Sequence, residues 1–234
     1  MSIKYYKSKN LVLTYLAELE EENVENTGTS QMDSPQIRVV CNRAITKYFV
    51  MDDYQSFMSF IKKCNKRDFY EFIPADKPVC FYYDIEIYKE EEELESTEHV
   101  KTEGSVCNYY DDYNRILDEC IRKVEDLIKT EYENVDIKKI ILESHSDIKR
   151  SFHVILRFFD KTDNKEIVFE NVQTLKELYK NFGLDKYRDI QNRYLVDPSV
   201  YREGLFRTLH SNKNNEIRPF KKSDLSDDFE EVES

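Results

Sequence analysis

An α+β fold with a mixed or mainly antiparallel sheet is what this sequence predicts. Two observations lead there: strands and helices alternate irregularly, and consecutive β-rich runs read as hairpin-linked. No internal repeat is evident, and the length of 234 residues suits one sizeable domain spanning 1–234.

Taken in order, Leu11, Leu13, Leu16 and Leu19 suggest a first helix, ended by the polar stretch EEENVENTGTSQMDSPQ, which reads as a loop. ITKYFV at 45–50 is a short β-branched and aromatic strand. Asp52 or Asp53 can cap the helix after it, whose apolar face is Tyr54, Phe57, Met58 and Ile61. DFYEFIPADKPVCFYYDIEIY gives a strand, a proline-containing turn and a second strand. Tyr113, Ile116, Leu117, Cys120, Ile121, Val124, Leu127 and Ile128 recur at helical spacing, the clearest amphipathic helix in the chain. KKIILES and KRSFHVILRFF, parted by the polar SHSDI, read as a hairpin. A helix over 168–182 presents Val172, Leu175, Leu178, Tyr179 and Phe182, with Gly183 at its C-terminal stop.

Composition narrows the setting. The five cysteines (Cys41, Cys64, Cys80, Cys107, Cys120) are scattered, without a CxxC or Cys/His cluster, which favours a reducing compartment over a zinc site. No apolar stretch is long enough for a signal peptide or a membrane span, so the expectation is an intracellular protein with no membrane partner. The net charge of -12 argues against a nucleic-acid partner only until it is located. The segments 89–103 and 221–234 carry -5 and -4 of it, leaving the remainder close to neutral and free to hold a basic groove.

The strand FYYDIEIY poses the chemical question. Side chains alternate along a strand, so Phe81, Tyr83, Ile85 and Ile87 share one face and Tyr82, Asp84, Glu86 and Tyr88 the other. The two carboxylates sit about 6.6 Å apart along the strand. They repel unless one is protonated or a cation lies between them, and hard oxygen ligands suit Mg²⁺ or Mn²⁺. Taken alone, D-x-E occurs often by chance, and the solvated face of an edge strand is its commoner reading. Lys149, Ser151 and His153 alternate onto one face in the same way and offer an ammonium, a hydroxyl and an imidazole, a set suited to phosphate. Asp197 then closes an apolar run and is followed by Arg202, Arg207 and Lys213 with few acids between them. It is either a strand-end cap or a third carboxylate.

The order D-x-E, S-x-H, hydrophobic-Asp resembles the archaeo-eukaryotic primase superfamily, particularly the eukaryotic PrimPol group and related primases of large DNA viruses. FYEFIPADKPVCFYYDIEI is similar to that family's first motif with its flanks, KRSFHVIL to the second, and VDPSVY with the downstream FR and K to the third. The likeness covers about residues 38–213, with 89–108 as an acidic insert loop and 214–234 as an acidic tail. It implies an N-terminal α/β module and an RRM-like module with the active site in the cleft between them. It also implies a DNA-directed primase-polymerase, adding nucleotides by two-metal transfer in replication or damage tolerance. Asp84, Glu86 and Asp197 fall on the family's catalytic metal-binding carboxylates, with Mg²⁺ or Mn²⁺ as cofactor. Lys149, Ser151, His153, Arg207 and Lys213 fall on contacts to the incoming nucleotide, Tyr70 on a position near its sugar, and Lys47 on a template contact. A second arginine expected before the FR pair has Arg202 as its nearest candidate, one residue out of step. No Cys/His set matches the zinc-binding module that helps such enzymes start primers. The partners implied are a single-stranded DNA template with its primer and a dNTP or NTP, with a helicase or single-strand-binding protein as a further candidate. Two other classes stay open: a metal-dependent nuclease, and a non-catalytic nucleic-acid-binding subunit with a primase-like fold.

Overall fold

The computed structural model describes residues 4–27, 38–43, 47–51, 54–64, 67–89, 113–189, 191–213 and 218–227. Asp52, Asp53, the acidic insert from residue 90 onward, Cys107 and the tail beyond residue 227 lie outside them, as do the side chains of Leu19, Tyr54 and Met58. In chain order the elements are β1 (Lys4–Tyr6), α1 (Lys9–Thr27), β2 (Arg38–Asn42), β3 (Lys47–Met51), α2 (Tyr54–Lys63), β4 (Phe69–Ile73) and β5 (Phe81–Tyr88). They continue with α3 (Tyr113–Glu131), β6 (Val135–Glu143), β7 (Lys149–Asp160), β8 (Glu166–Ile167), α4 (Val172–Asn181), β9 (Gly204–Arg207) and β10 (Lys221–Lys222). The fold is α+β with two antiparallel sheets. No helix among the described residues is long and apolar enough to cross a membrane.

The chain divides into two compact units, residues 1–74 with 203–221 and 228–234, and residues 75–202 with 222–227. The first unit carries a sheet in the order β1-β3-β2-β4-β9, every pair antiparallel. One sheet face offers Phe49 and Phe69 to Phe60 of α2, with ring centroids 5.0 and 5.5 Å apart, and Phe57 meets Phe69 edge-on. On the other face Val12 of α1 packs with Val50 and Phe72.

The second unit carries the order β10-β6-β7-β5, with β8 on β7. Phe81, Tyr83, Ile85 and Ile87 line one face of β5 and are at most 1% exposed. They pair across the ladder with Leu156, Val154, Phe152 and Arg150 of β7. Helix α3 buries its Ile116–Leu117–Cys120–Val124 stripe, and the Tyr83 hydroxyl donates to the Cys120 carbonyl at 3.0 Å. Helix α4 starts at Asn171, whose Oδ1 accepts from the Gln173 and Thr174 amides at 2.9 and 3.1 Å, and stops at Gly183 in the left-handed region, φ 65°. The sequence expectation started this helix four residues before Val172, where Val79 and Phe169 instead exchange backbone bonds in a bridge.

Three expectations need correction. Helix α1 runs on to Thr27 through what reads as a loop, because EEENVENT lacks an apolar stripe but is rich in helix-tolerant glutamate. Among its described side chains Val12 is the buried one at 0% exposure, whereas Leu11 is 54% exposed, one residue round the helix. The strands flanking the proline turn, β4 and β5, are not a hairpin: β4 pairs with β2 and β9, and β5 pairs with β7 in the other sheet.

Four tyrosines in the second unit, Tyr82, Tyr83, Tyr179 and Tyr201, are held above the ordinary phenol range by burial. Their neutral form is therefore favoured by folding, and that contribution is fully present below pH about 10 and lost as pH rises through the folded values. Thermal melts monitored with tyrosinate absorbance should show stability falling above pH about 10, with ionisation tied to unfolding; ionisation of all tyrosines without loss of structure contradicts this burial.

Candidate functional site on the polar face of β5

The face of β5 opposite its aromatic core is built by register. Asp84 pairs with His153 of β7, Glu86 with Ser151 and Tyr88 with Lys149, so the D-x-E and S-x-H side chains stand in adjacent cross-strand rows. On the free edge of β5 a short extended segment adds one further row. Ile85 bridges Val196, and the bridge is flanked by the Asp197 N–H donating to the Asp84 carbonyl and the Glu86 N–H donating to the Leu195 carbonyl, each at 2.8 Å. That register sets Asp197 opposite Asp84. One row thus reads Asp197, Asp84, His153, and the next Leu195, Glu86, Ser151.

Tyrosine hydroxyls hold the 195–201 segment in place. Tyr179 donates to the Val196 carbonyl at 3.1 Å, Tyr82 to the Val200 carbonyl at 2.9 Å, and Tyr201 to the Tyr82 carbonyl at 2.8 Å. The Tyr201 ring lies 5.5 Å from those of both Tyr82 and Tyr179. The Val200 carbonyl also accepts from the Arg202 N–H at 2.9 Å, so the Tyr82 hydroxyl is its second donor.

The charged groups are paired in specific ways. Lys149, 7% exposed, places Nζ 2.5 Å from Glu86 Oε1, and the Tyr88 hydroxyl donates to Glu86 Oε2 at 3.0 Å. Burial and then the Glu86 carboxylate push the Tyr88 phenol up to about 12. The Tyr88 ring carries the Arg193 guanidinium at 3.8 Å and the Lys149 ammonium at 5.3 Å. Arg193 is itself held by Asp189, with Nε 2.5 Å from Oδ2. His153 Nε2 lies 3.8 Å from Asp84 Oδ1. Asp197 accepts from the Ser199 amide and hydroxyl, both at 2.8 Å, as the cap of the short helical turn Pro198–Val200.

Ser151 is the exception. Its backbone is pinned, with N–H donating to His145 Nδ1 at 3.3 Å and C=O accepting from Ser144 at 3.0 Å. Its Oγ is buried with no hydrogen-bond partner among the described residues. A hydroxyl left so costs roughly 1–3 kcal/mol, which a ligand acceptor can recover.

The backbone placement of Asp84, Glu86 and Asp197 suits a hard divalent cation in donor type and spacing. The side chains do not converge in that way: among the described residues no group of three or more His, Cys, Asp or Glu stands together to hold a metal ion. Glu86 has both oxygens engaged by Lys149 and Tyr88, and Asp197 has both engaged by Ser199.

The remaining expected residues fall elsewhere. Arg202 is exposed and belongs to the second unit. Tyr70, Arg207, Lys213 and Lys47 belong to the first. Tyr70 and Arg207 are direct cross-strand partners, 6% and 8% exposed, with Cys41 on Tyr70's other side. The Arg207 guanidinium stacks 4.0 Å over Phe220, and the Arg43 guanidinium lies 5.6 Å over the Tyr70 ring. Lys213 is half-buried in the segment after β9. Lys47 shares a register row with Asn42 and Phe69, so it stands on the opposite sheet face from Tyr70 and Arg207, with its ammonium 4.9 Å over Tyr5.

Two participants, Tyr88 and Arg193, escaped the sequence reading. Tyr88 was accessible to it, since alternation sets it on the Glu86 face; Arg193 carries no motif and arrives only through the 188–194 turn. No protein-family model matches this chain, and no curated protein matches it.

A double-mutant cycle over Glu86→Gln and Lys149→Met, read by urea unfolding, should give a coupling energy of about 1–2 kcal/mol, because the pair is mostly out of water. Additivity of the two single variants is the contrary result.

Proposed function

We propose that this chain is the catalytic core of a template-dependent DNA primase or polymerase of the archaeo-eukaryotic primase type, extending a strand by nucleotidyl transfer. One observation carries the reading: three carboxylates and an ammonium–hydroxyl–imidazole set from three separate sequence motifs occupy adjoining rows of one sheet face. That combination serves a reaction in which negative charge on a triphosphate has to be held and redistributed.

Asp84, Glu86 and Asp197 would hold Mg²⁺ or Mn²⁺, which when bound lowers the pKa of a primer 3′-hydroxyl and offsets charge on the leaving pyrophosphate. Lys149 supplies a point charge to phosphate oxygens, and Ser151 Oγ a hydroxyl donor. His153 donates an N–H to phosphate rather than serving as a general base, for its ring is fixed in the β-ladder beside Asp84. The aromatic core beneath β5 keeps these groups from shifting, which matters because positioning supplies much of the rate. Tyr70, Arg207, Lys213, Lys47 and Arg202 are assigned to nucleotide or template by the resemblance alone. Template grip should be dominated by backbone contacts and weaken steeply with salt.

A non-catalytic, primase-like binding subunit is favoured by a different observation, the engagement of both Glu86 oxygens. Incorporation of labelled nucleotides on a primed single strand with Mn²⁺ separates the two. Synthesis by the wild type, reduced at least about a hundredfold in Asp84→Asn with the fold retained, is the expected result. Strand binding with no synthesis by the wild type, or full activity in the variant, contradicts it.

A further inference from the structure

Resting on the nucleotidyl-transfer reading, we infer that His145 is a positioning residue for nucleotide binding. Its neutral imidazole stands in for a backbone acceptor and holds Ser151, and with it the Ser151 hydroxyl, in place to meet a phosphate oxygen. His145 lies outside the S-x-H motif, in the polar turn SHSDI.

The β6–β7 ladder reaches its end at this turn. Ser146 and Lys149 close it with two backbone bonds, at 2.8 and 3.3 Å, and the Ser144 N–H donates to the Ser151 carbonyl at 3.0 Å. A hydrogen-bonded antiparallel pair exchanges two such bonds, so the Ser151 N–H is due back at Ser144. It donates instead to His145 Nδ1 at 3.3 Å. Ser151 is 1% exposed, which leaves its N–H without water as a substitute partner. The side chain of His145 thus completes the rung that places Ser151 opposite Glu86.

This bond fixes the tautomer. A backbone N–H only donates, so Nδ1 must be bare, and the proton of the neutral ring sits on Nε2, 3.6 Å from Glu143 Oε2. The ring is held by an edge contact with Phe152, centroids 4.8 Å apart, and by Tyr113 of α3 at 6.4 Å. The ionisable groups around it are Glu143 of β6, Tyr113 of α3, Asp147 two residues on in the same turn, and Arg150 of β7, whose guanidinium lies 5.5 Å over the Tyr113 ring. Protonation puts a second N–H on Nδ1, facing the Ser151 N–H, and the imidazolium cannot make the bond. The Ser151 hydroxyl, buried and without a hydrogen-bond partner among the described residues, then loses the support that aims it.

The experiment is calorimetric titration of the full chain with dATP, without template, across the imidazole range of about pH 8 down to about pH 5. His145→Asn offers an amide oxygen as many bonds from Cβ as Nδ1 and does not titrate, whereas His145→Leu fills the space without an acceptor. At the alkaline end His145→Leu should bind dATP about twofold to tenfold more weakly, the worth of one neutral hydrogen bond, and His145→Asn should match the wild type. The cost of His145→Leu should shrink in a Ser151→Ala background, where no hydroxyl is left to place. As pH falls, the wild type should lose more affinity than His145→Asn. His153 and the phosphates of dATP titrate in both proteins alike, so that difference belongs to His145. In isotopically labelled wild type the Ser151 amide resonance should shift with the same midpoint as the His145 ring, and it should stay still in His145→Asn. Full dATP affinity in His145→Leu, or a loss of affinity with pH in His145→Asn equal to that of the wild type, overturns the inference and leaves the nucleotidyl-transfer reading standing. A wild-type chain that binds no dATP overturns that reading, and the inference with it.

Discussion

The single bridge between Ile85 and Val196 is the constraint on which the rest of the candidate site depends. Two 2.8 Å backbone bonds, from Asp197 to Asp84 and from Glu86 to Leu195, convert a surface loop into a short extra strand and set a third carboxylate beside the first. An isolated bridge of this kind cannot stabilise itself, because two bonds do not offset the ordering of the chain that makes them. The tyrosine hydroxyls on the Val196, Val200 and Tyr82 carbonyls, together with the fully buried side chains of Leu195 and Val196, provide what the bridge lacks.

Opposed demands meet on β7. Its core side must pack tightly, and Phe152, Val154, Leu156 and Phe158 are all 0% exposed. Its other side carries Lys149, Ser151 and His153, which are also buried and which a hydrophobic strand would not choose. Folding tolerates them because Lys149 finds Glu86, the Ser151 backbone finds His145 and Ser144, and His153 faces Asp84. The Ser151 hydroxyl is left as a cost without a return among the described residues. Unspent polar capacity at a defined place is what a binding surface looks like before the partner is considered.

Alternation made much of this legible in the sequence. Period-two reasoning set Asp84 with Glu86 and Lys149 with Ser151 and His153, because a strand with one buried face fixes its register strongly. Which strands pair was not legible: β5 takes β7 rather than its sequence neighbour β4, a choice made by long-range packing of the aromatic faces. Lys47 shows the same limit, since only the β2–β3 and β2–β4 registers reveal that it faces away from Tyr70. Glu86 was readable as a ligand candidate, but its capture by Lys149 and Tyr88 was not, because rotamer choice depends on neighbours that no spacing rule names. The glutamate-rich end of α1 escaped for the opposite reason: its sequence is helical without an apolar stripe, and periodicity is silent there.

The central claim is that Asp84, Glu86 and Asp197 act as one cation site on the polar face of β5. Paramagnetic broadening of amide resonances in isotopically labelled protein, on titration with Mn²⁺ in the presence of nucleotide, addresses it directly. Broadening centred on residues 84–86, 151–153 and 196–198, and abolished by Asp84→Asn, is the result this account predicts. Broadening confined to the acidic segments at 89–103 and 221–234, with the β5 face unaffected, would contradict it.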